Sequence, residues 1–222
     1  LTAIRFTSAR SRLAILQVRA IRSSTSLRAA ALSIARRYSG WSMPIQPRPE
    51  ELPRLWLMSD ARNDSGLEDA LARLSEGSAL VFRHYHLGSV ARRERFEMLR
   101  SICRSKRLRL ILSDRASEAR AWGADGVYGP PGRLGDAADM LRITTAHDAA
   151  ELAAAEAADA HAVMISPVFA TRSHPGAPAL GPEGFHDLAR RTRLPVIALG
   201  GMTAERAHDL GVTRWAAIDG LS

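Results

Sequence analysis

The chain has 222 residues, of which 46% are hydrophobic, and this length and composition predict one domain with a sizeable core. Its single cysteine, Cys103, excludes a disulfide framework and a metal cluster built from cysteines. The formal net charge is +8, but residues 1–42 carry eight arginines and no acidic residue, which leaves 31 − 8 = 23 basic and 23 acidic residues in 43–222. The body of the protein is therefore neutral, and this distribution argues against a nucleic-acid-binding role.

The first 42 residues form a basic leader. They are rich in arginine and serine and free of acids, as in a mitochondrial transit peptide or a basic arm. We interpret residues 1–42 as disordered or not native coding sequence, and we favour Met43 as the start of the folded domain, 43–222. Since no apolar run is long enough to span a membrane, we expect a cytoplasmic protein with no membrane and no nucleic-acid partner.

Short apolar runs recur from Leu55 onwards, with helical patterns between them. This alternation predicts an α/β barrel or a doubly wound sheet. We predict eight strands: Leu55–Ser59, Ala79–Arg83, Leu108–Ser113, Gly126–Tyr128, Leu141–Thr145, Ala162–Ser166, Pro195–Leu199 and Trp215–Ile218. Eight strands fit a compact (β/α)₈ TIM barrel. Residues 43–222 (222 − 42 = 180) are short for that fold, which typically has about 250 residues, so we expect a barrel that lacks the last helix or is truncated there.

Polar residues follow several of these strands. Arg83 ends the second strand, and a guanidinium can bind a phosphate with two hydrogen bonds. Asp114 follows the third and also suits the start of the next helix. The fifth strand ends at Thr145 and His147 follows it, and the imidazole of histidine titrates near neutrality, as acid/base chemistry requires. The alternative for His147 is a helix cap, although Asp148 already serves that helix.

Residues 159–201 contain, in this order, an apolar run, a polar loop, a helical segment, a second apolar run and a pair of glycines. This order predicts a βαβ unit with parallel strands. The loop with Thr171, Ser173 and His174 follows the carboxyl end of a strand, where barrels hold their active sites. Gly200 and Gly201 either let backbone amides approach an anion or make a tight turn.

Two motifs in this stretch resemble the thiamine phosphate synthase family, which includes the thiazole tautomerase TenI. Residues 166–174, SPVFATRSH, are similar to the family loop G-P-V-F-x-T-x-(S/T)-K, and residues 195–201, PVIALGG, are similar to P-V-x-A-(I/L)-G-G. A weaker resemblance extends from about Leu55 to Leu221. The combination of the two motifs is specific, whereas PVIALGG alone would fit many phosphate-binding barrels.

The resemblance implies roles for individual residues. Arg83 matches the arginine of a diphosphate-binding Q-x-R-x-K motif, Asp114 a magnesium ligand, and His147 the acid/base histidine of the tautomerase branch. On these matches we expect Arg83, His147 and His174 to be catalytic. The residues expected to bind substrate or phosphate are Arg83, Ser113, Thr145, Thr171, Ser173, Gly200 and Gly201.

The chain also departs from the family pattern. Val81 and Tyr85 stand at the glutamine and lysine positions of Q-x-R-x-K, and His174 replaces a lysine that contacts pyrophosphate. Arg133 stands where the family has a second magnesium-binding aspartate, and Asp219 where a serine binds the thiazole phosphate. Mg²⁺ is therefore an expected cofactor with only Asp114 to hold it.

The leading hypothesis is a thiamine phosphate synthase, a transferase that joins hydroxymethylpyrimidine diphosphate to thiazole phosphate. In the family, pyrophosphate leaves first and the thiazole nitrogen captures the resulting cation. The second hypothesis is a thiazole tautomerase, and the third is a non-catalytic barrel that binds a phosphorylated ligand. All three predict small phosphorylated molecules as partners, and a homo-oligomer is possible.

Overall fold

The structure is a computed structural model that describes residues 47, 49–173, 176, 178–219 and 221. The predicted leader, residues 1–42, lies outside the described residues, as does His174 of the predicted site.

Eight parallel strands form a closed barrel. They are β1 (Leu55–Met58), β2 (Ala79–Phe82), β3 (Arg109–Leu112), β4 (Gly126–Tyr128), β5 (Leu141–Ala146), β6 (Ala162–Ile165), β7 (Val196–Leu199) and β8 (Trp215–Ala217). Each strand pairs with the next, and β8 pairs with β1 through Trp56 and Ala216. The barrel predicted from the sequence is confirmed, and each predicted strand lies within two residues of the observed bounds.

Six α-helices alternate with the strands in the described part of the chain. They are α1 (Leu67–Arg73), α2 (Ser89–Ser105), α3 (Ala116–Trp122), α4 (Ala149–Ala157), α5 (Gly181–Ala189) and α6 (Ala204–Asp209). Only a 3₁₀ turn, Pro131–Arg133, connects β4 to β5. Pro131 stands at the first position of this turn, where a missing amide hydrogen costs no helical hydrogen bond. No helix follows β8 up to Leu221 among the described residues.

The side chains of the strands alternate between two apolar layers. Trp56, Met58, Val81, Ile111 and Met164 pack together inside the barrel. The intervening residues, such as Leu57 and Leu80, pack outward against helix residues that include Leu71, Phe96 and Phe185. This alternation follows from the two-residue period of a strand, and it fixes which residues reach the carboxyl ends of the strands. Within the described residues, no helix is both long and apolar enough to cross a membrane.

Candidate active site

A cavity of about 720 Å³ lies at the carboxyl ends of the strands. This is the end at which parallel barrels hold their active sites. Most of the residues predicted from the sequence line it: Arg83, Thr145, His147, Thr171, Ser173, Gly200 and Gly201. Strands distant in sequence therefore bring the predicted phosphate contacts and His147 to one wall.

Arg83 follows β2 and enters the cavity wall with its guanidinium held by Asp60. Nη2 of Arg83 donates to Oδ2 of Asp60 at 2.6 Å. Burial opposes ionisation of Asp60, but hydrogen bonds from Arg62 and the charges of Arg62 and Arg83 outweigh it and lower the pKa of this carboxyl. Among the described residues, the buried Nε of Arg83 has no hydrogen-bond partner. Asp60 therefore fixes the position of the guanidinium, and Arg83 brings a positive charge to the cavity lining.

Tyr128, at the end of β4, lies next to Arg83 in the same wall. Burial raises the pKa of its phenol, outweighing the charge of Arg83 and a hydrogen bond with Thr145. The hydroxyl of Thr145 donates to the carbonyl oxygen of Met164 at 3.2 Å. Because the Thr145 hydroxyl donates to Met164, the Tyr128 phenol donates to Thr145, and the two hydroxyls form a neutral chain beside the guanidinium.

A second set of arginines surrounds Asp219, which follows β8. Arg172 lies 3.0 Å and Arg62 3.5 Å from Oδ2 of Asp219. Arg62 also donates to the hydroxyl of Ser173 at 2.8 Å. Residues after β1, β6 and β8 thus meet at one carboxylate, at the position where the family resemblance implies a phosphate-binding serine.

His147 projects from the loop after β5. Its Nδ1 lies 2.6 Å from the carbonyl oxygen of Ser166. A carbonyl oxygen only accepts, so Nδ1 carries the hydrogen and Nε2 carries the lone pair of the neutral ring. Asp148 caps α4 by accepting from the amide of Glu151. His147 is therefore not needed as a cap, and its Nε2 can act as a base towards the cavity.

The two glycines after β7 bring this strand against the loop after β6. Gly200 has φ +100°, and a Cβ there would lie 2.6 Å from Cα of Pro167. Gly201 has φ +62°, and its Cβ would lie 2.6 Å from the carbonyl oxygen of Ala170. Both positions therefore require glycine for conformation and for space. The hydroxyl of Thr171 accepts from the amide of Ser173 at 3.3 Å, which shapes the same loop.

Ser113 and Asp114 do not line the cavity. The hydroxyl of Ser113 is buried and hydrogen-bonded to the hydroxyl of Tyr85. Oδ1 of Asp114 accepts from the amide of Arg115 at 2.8 Å, and Oδ2 accepts from Nη1 of Arg92 at 2.7 Å. Both oxygens of the predicted magnesium ligand are therefore already engaged.

The residues present do not fit the Mg²⁺ site that the resemblance implies. Magnesium sites of this kind use one or two carboxylates, but Asp114 is paired with an arginine. Arg133, at the second carboxylate position, is exposed and does not line the cavity.

Another polar cluster, formed by residues that follow β1 and β2, contains Asp64, His84 and His86, whose ligand atoms lie within 4.8 Å of one another. Both nitrogens of His84 are already bonded: Nδ1 to the hydroxyl of Ser59 and Nε2 to Asp64, each at 2.7 Å. Asp64 is also paired with Arg95 at 2.8 Å. These bonds occupy the polar atoms of His84 and place the guanidinium of Arg95 where a cation would bind. The role of this cluster is therefore structural.

Sequence reasoning missed Asp60, Arg62 and Arg92. Asp60 and Arg62 follow β1, and the barrel rule that active sites lie at the carboxyl ends of strands would have found them. Arg92 lies on the arginine-rich helix α2, where nothing in the sequence distinguishes it from its neighbours.

Comparison with known proteins gives a consistent match. The model of the family described as "Thiamine monophosphate synthase" matches residues 56–221. The putative thiamine-phosphate synthase 2 of Aquifex aeolicus is 28% identical over 166 residues, covering 70% of this chain and 89% of that protein. The thiamine-phosphate synthase of Synechococcus sp. is 29% identical over 184 residues, covering 76% of this chain but 52% of that protein. The chain thus spans about half the length of the Synechococcus relative.

Among solved structures, the thiamine phosphate pyrophosphorylase of Pyrococcus furiosus superposes with a TM-score of 0.64 at 24% identity. This match covers 77% of the present chain and 87% of the other. It supports the same barrel fold.

Proposed function

The chain belongs to the thiamine monophosphate synthase family, and from this premise we propose that it joins hydroxymethylpyrimidine diphosphate to thiazole phosphate. The bond between the pyrimidine methylene carbon and the diphosphate oxygen breaks, and pyrophosphate leaves with the electron pair. The thiazole nitrogen then donates its lone pair to the methylene cation, which gives thiamine phosphate. The observation that carries this proposal is the gathering of Arg83, Thr145, Thr171, Gly200 and Gly201 around one cavity.

The proposed roles follow from the contacts. Arg83 binds the departing pyrophosphate, because it lines the cavity and Asp60 fixes its positive charge there. Tyr128 and Thr145 add hydroxyl groups beside it. The glycines after β7 let the loop after β6, which carries Thr171, pack at the cavity wall. Holding both rings in one enclosed cavity supplies alignment, which accounts for a large part of such rate enhancements.

A synthase assay tests this proposal. The full chain is incubated with the two substrates, and thiamine phosphate is measured. We expect Arg83→Ala to lower kcat/KM at least 100-fold, which corresponds to about 2.7 kcal/mol. Arg107→Ala is the matched control, since the Arg107 side chain is 76% exposed and precedes β3, at the opposite end of the barrel. Folded protein that forms no product rules out the synthase.

A second candidate is a thiazole tautomerase, and His147 favours it. Its hydrogen-bonded Nδ1 leaves the lone pair on Nε2 of the neutral ring, as removal of a ring proton requires. In D₂O, a tautomerase would exchange the thiazole ring proton, followed by NMR, and His147→Gln would slow exchange at least 100-fold. An equal exchange rate in this variant would exclude His147 as the base.

We further propose that the ligands are small phosphorylated molecules and that the protein acts in the cytoplasm. Homo-oligomerisation remains a prediction, which light scattering of the full chain would test.

A further inference from the structure

The guanidinium of Arg92 is paired with Asp114, the residue that the family resemblance implies as a magnesium ligand. It reaches from α2 to the ends of β2 and β3. Nε donates to the carbonyl oxygen of Arg83 at 2.9 Å, Nη1 to Asp114 at 2.7 Å, and Nη2 to the carbonyl oxygen of Ser113 at 3.0 Å. One cation thus binds two backbone carbonyls and one carboxylate, all of them oxygen ligands of the kind that Mg²⁺ prefers.

Aromatic rings fix this guanidinium. Its central carbon lies 5.7 Å from the ring centre of Phe82, 5.6 Å from Tyr85 and 5.3 Å from Trp122. The side chain is only 12% exposed. These rings and the three hydrogen bonds hold the guanidinium of Arg92 in one position. An arginine also stays positively charged at any physiological pH.

A divalent cation at Asp114 would have to displace this arginine. The oxygen that accepts from Arg92 is the one not used by the amide of Arg115. A metal beside a guanidinium in a partly buried position meets strong repulsion. A guanidinium has five N–H groups, and three of those in Arg92 are used, so two remain without a partner among the described residues.

We propose that Arg92 takes the place of the divalent cation at Asp114, and that the chain therefore binds the diphosphate of its substrate without magnesium. Asp114 serves as the anchor of this arginine rather than as a metal ligand. The inference rests on the proposed function for the identity of the diphosphate, but its test does not require turnover.

The test is a calorimetric titration of inorganic pyrophosphate into the full chain, first in EDTA and then in excess Mg²⁺. The Kd is calculated from the total pyrophosphate concentration, free and magnesium-bound together. We expect pyrophosphate to bind in EDTA with a Kd that Mg²⁺ changes less than threefold. Binding that is at least tenfold tighter in Mg²⁺, or absent in EDTA, overturns the proposal. This comparison uses the unaltered chain, so it does not depend on the folding of any variant.

Variants locate the effect. Arg92→Gln should weaken binding in EDTA at least tenfold and make it respond to Mg²⁺, because Asp114 is then free to hold the ion. The response should vanish in the double variant Arg92→Gln/Asp114→Asn. Arg93→Gln is the matched control: Arg93 stacks on the same Trp122 ring, at 5.0 Å, but makes no bond to Asp114. Equal binding by the Arg92 and Arg93 variants in EDTA contradicts the proposal.

The two proposals fail separately. Pyrophosphate binding in EDTA without formation of thiamine phosphate rejects the synthase and supports a metal-free anion site. Product formation that stops in EDTA supports the synthase and rejects the role of Arg92.

Discussion

Several arginines near the carboxyl ends of the strands are paired with carboxylates. Asp60 holds Arg83, Asp219 contacts Arg62 and Arg172, and Asp114 holds Arg92. Partly exposed pairs of this kind add little stability, typically less than about 1 kcal/mol. Their effect lies in orientation, since a guanidinium already fixed by one carboxylate loses less freedom when it binds a phosphate.

Asp219 places negative charge where a phosphate is expected to bind. We predict that Asp219→Ser tightens binding of thiazole phosphate about tenfold, or about 1.4 kcal/mol, because repulsion is removed and two arginines are released. Calorimetry with the full chain measures this change. Asp209→Ser, at an exposed carboxylate on α6, should leave the affinity unchanged. Weaker binding by Asp219→Ser would mean that orientation of the arginines outweighs the repulsion.

At the scale of elements, the contact between the loops after β6 and β7 builds the cavity wall. The amide of Val168 donates to Leu199, and that of Phe169 donates to Gly200, at 2.9 and 3.0 Å. These bonds bring the β6 loop over the end of β7, which is possible because neither Gly200 nor Gly201 has a side chain.

A pair of glycine substitutions separates crowding from backbone strain. Gly201 and Gly211 have φ +62° and +67°, but only a Cβ at Gly201 would meet a backbone oxygen, at 2.6 Å. We predict that Gly211→Ala costs about 1 kcal/mol of unfolding free energy through strain. Gly201→Ala should cost about 2–4 kcal/mol, because the loop must also move. Urea unfolding measures both values, and equal costs would exclude the crowding at the loop.

The elements were predictable because each strand is a short apolar run between polar segments, as in Leu55–Met58 and Ala162–Ile165. Motif spacing also singled out Arg83, His147 and Gly200, which line the cavity, while their roles stay predictions. The barrel rule places Asp60 at this end of the barrel, but which residue each side chain contacts was not predictable. Asp60 meets Arg83 only because adjacent strands end at the same edge, and Arg92 meets Asp114 only because α2 packs beside β3. Such contacts depend on tertiary packing, which no local pattern encodes.

At the scale of the whole molecule, a buried network joins β1, β2 and α2. His84 is bonded to Ser59 and Asp64, and Asp64 is bonded to Arg95 of α2. The ionised Asp64 accepts from Nε2 of His84, so the hydroxyl of Ser59 donates to Nδ1, and the ring is neutral. Burial lowers the pKa of His84 and outweighs the hydrogen bond and charge of Asp64, which raise it. The charges of His86 and Arg95 also lower this pKa, by less than burial does. The network therefore depends on a histidine that resists protonation.

The free energy of unfolding should fall as the pH is lowered from 7.5 to 5.5. Below the ordinary pKa of histidine, about 6.5, the unfolded chain binds a proton that folded His84 rejects, so acid favours unfolding. Asp64 and Glu68 do not contribute in this range, because their pKa values are lowered from ordinary values of 3.8 and 4.5. Asparagine tolerates the local φ of +40°, so His84→Asn should reduce the slope of the unfolding free energy against pH, measured by urea unfolding. His208→Asn, at a 91% exposed side chain, should leave that slope unchanged. An unchanged slope in His84→Asn would assign the acid sensitivity to another group.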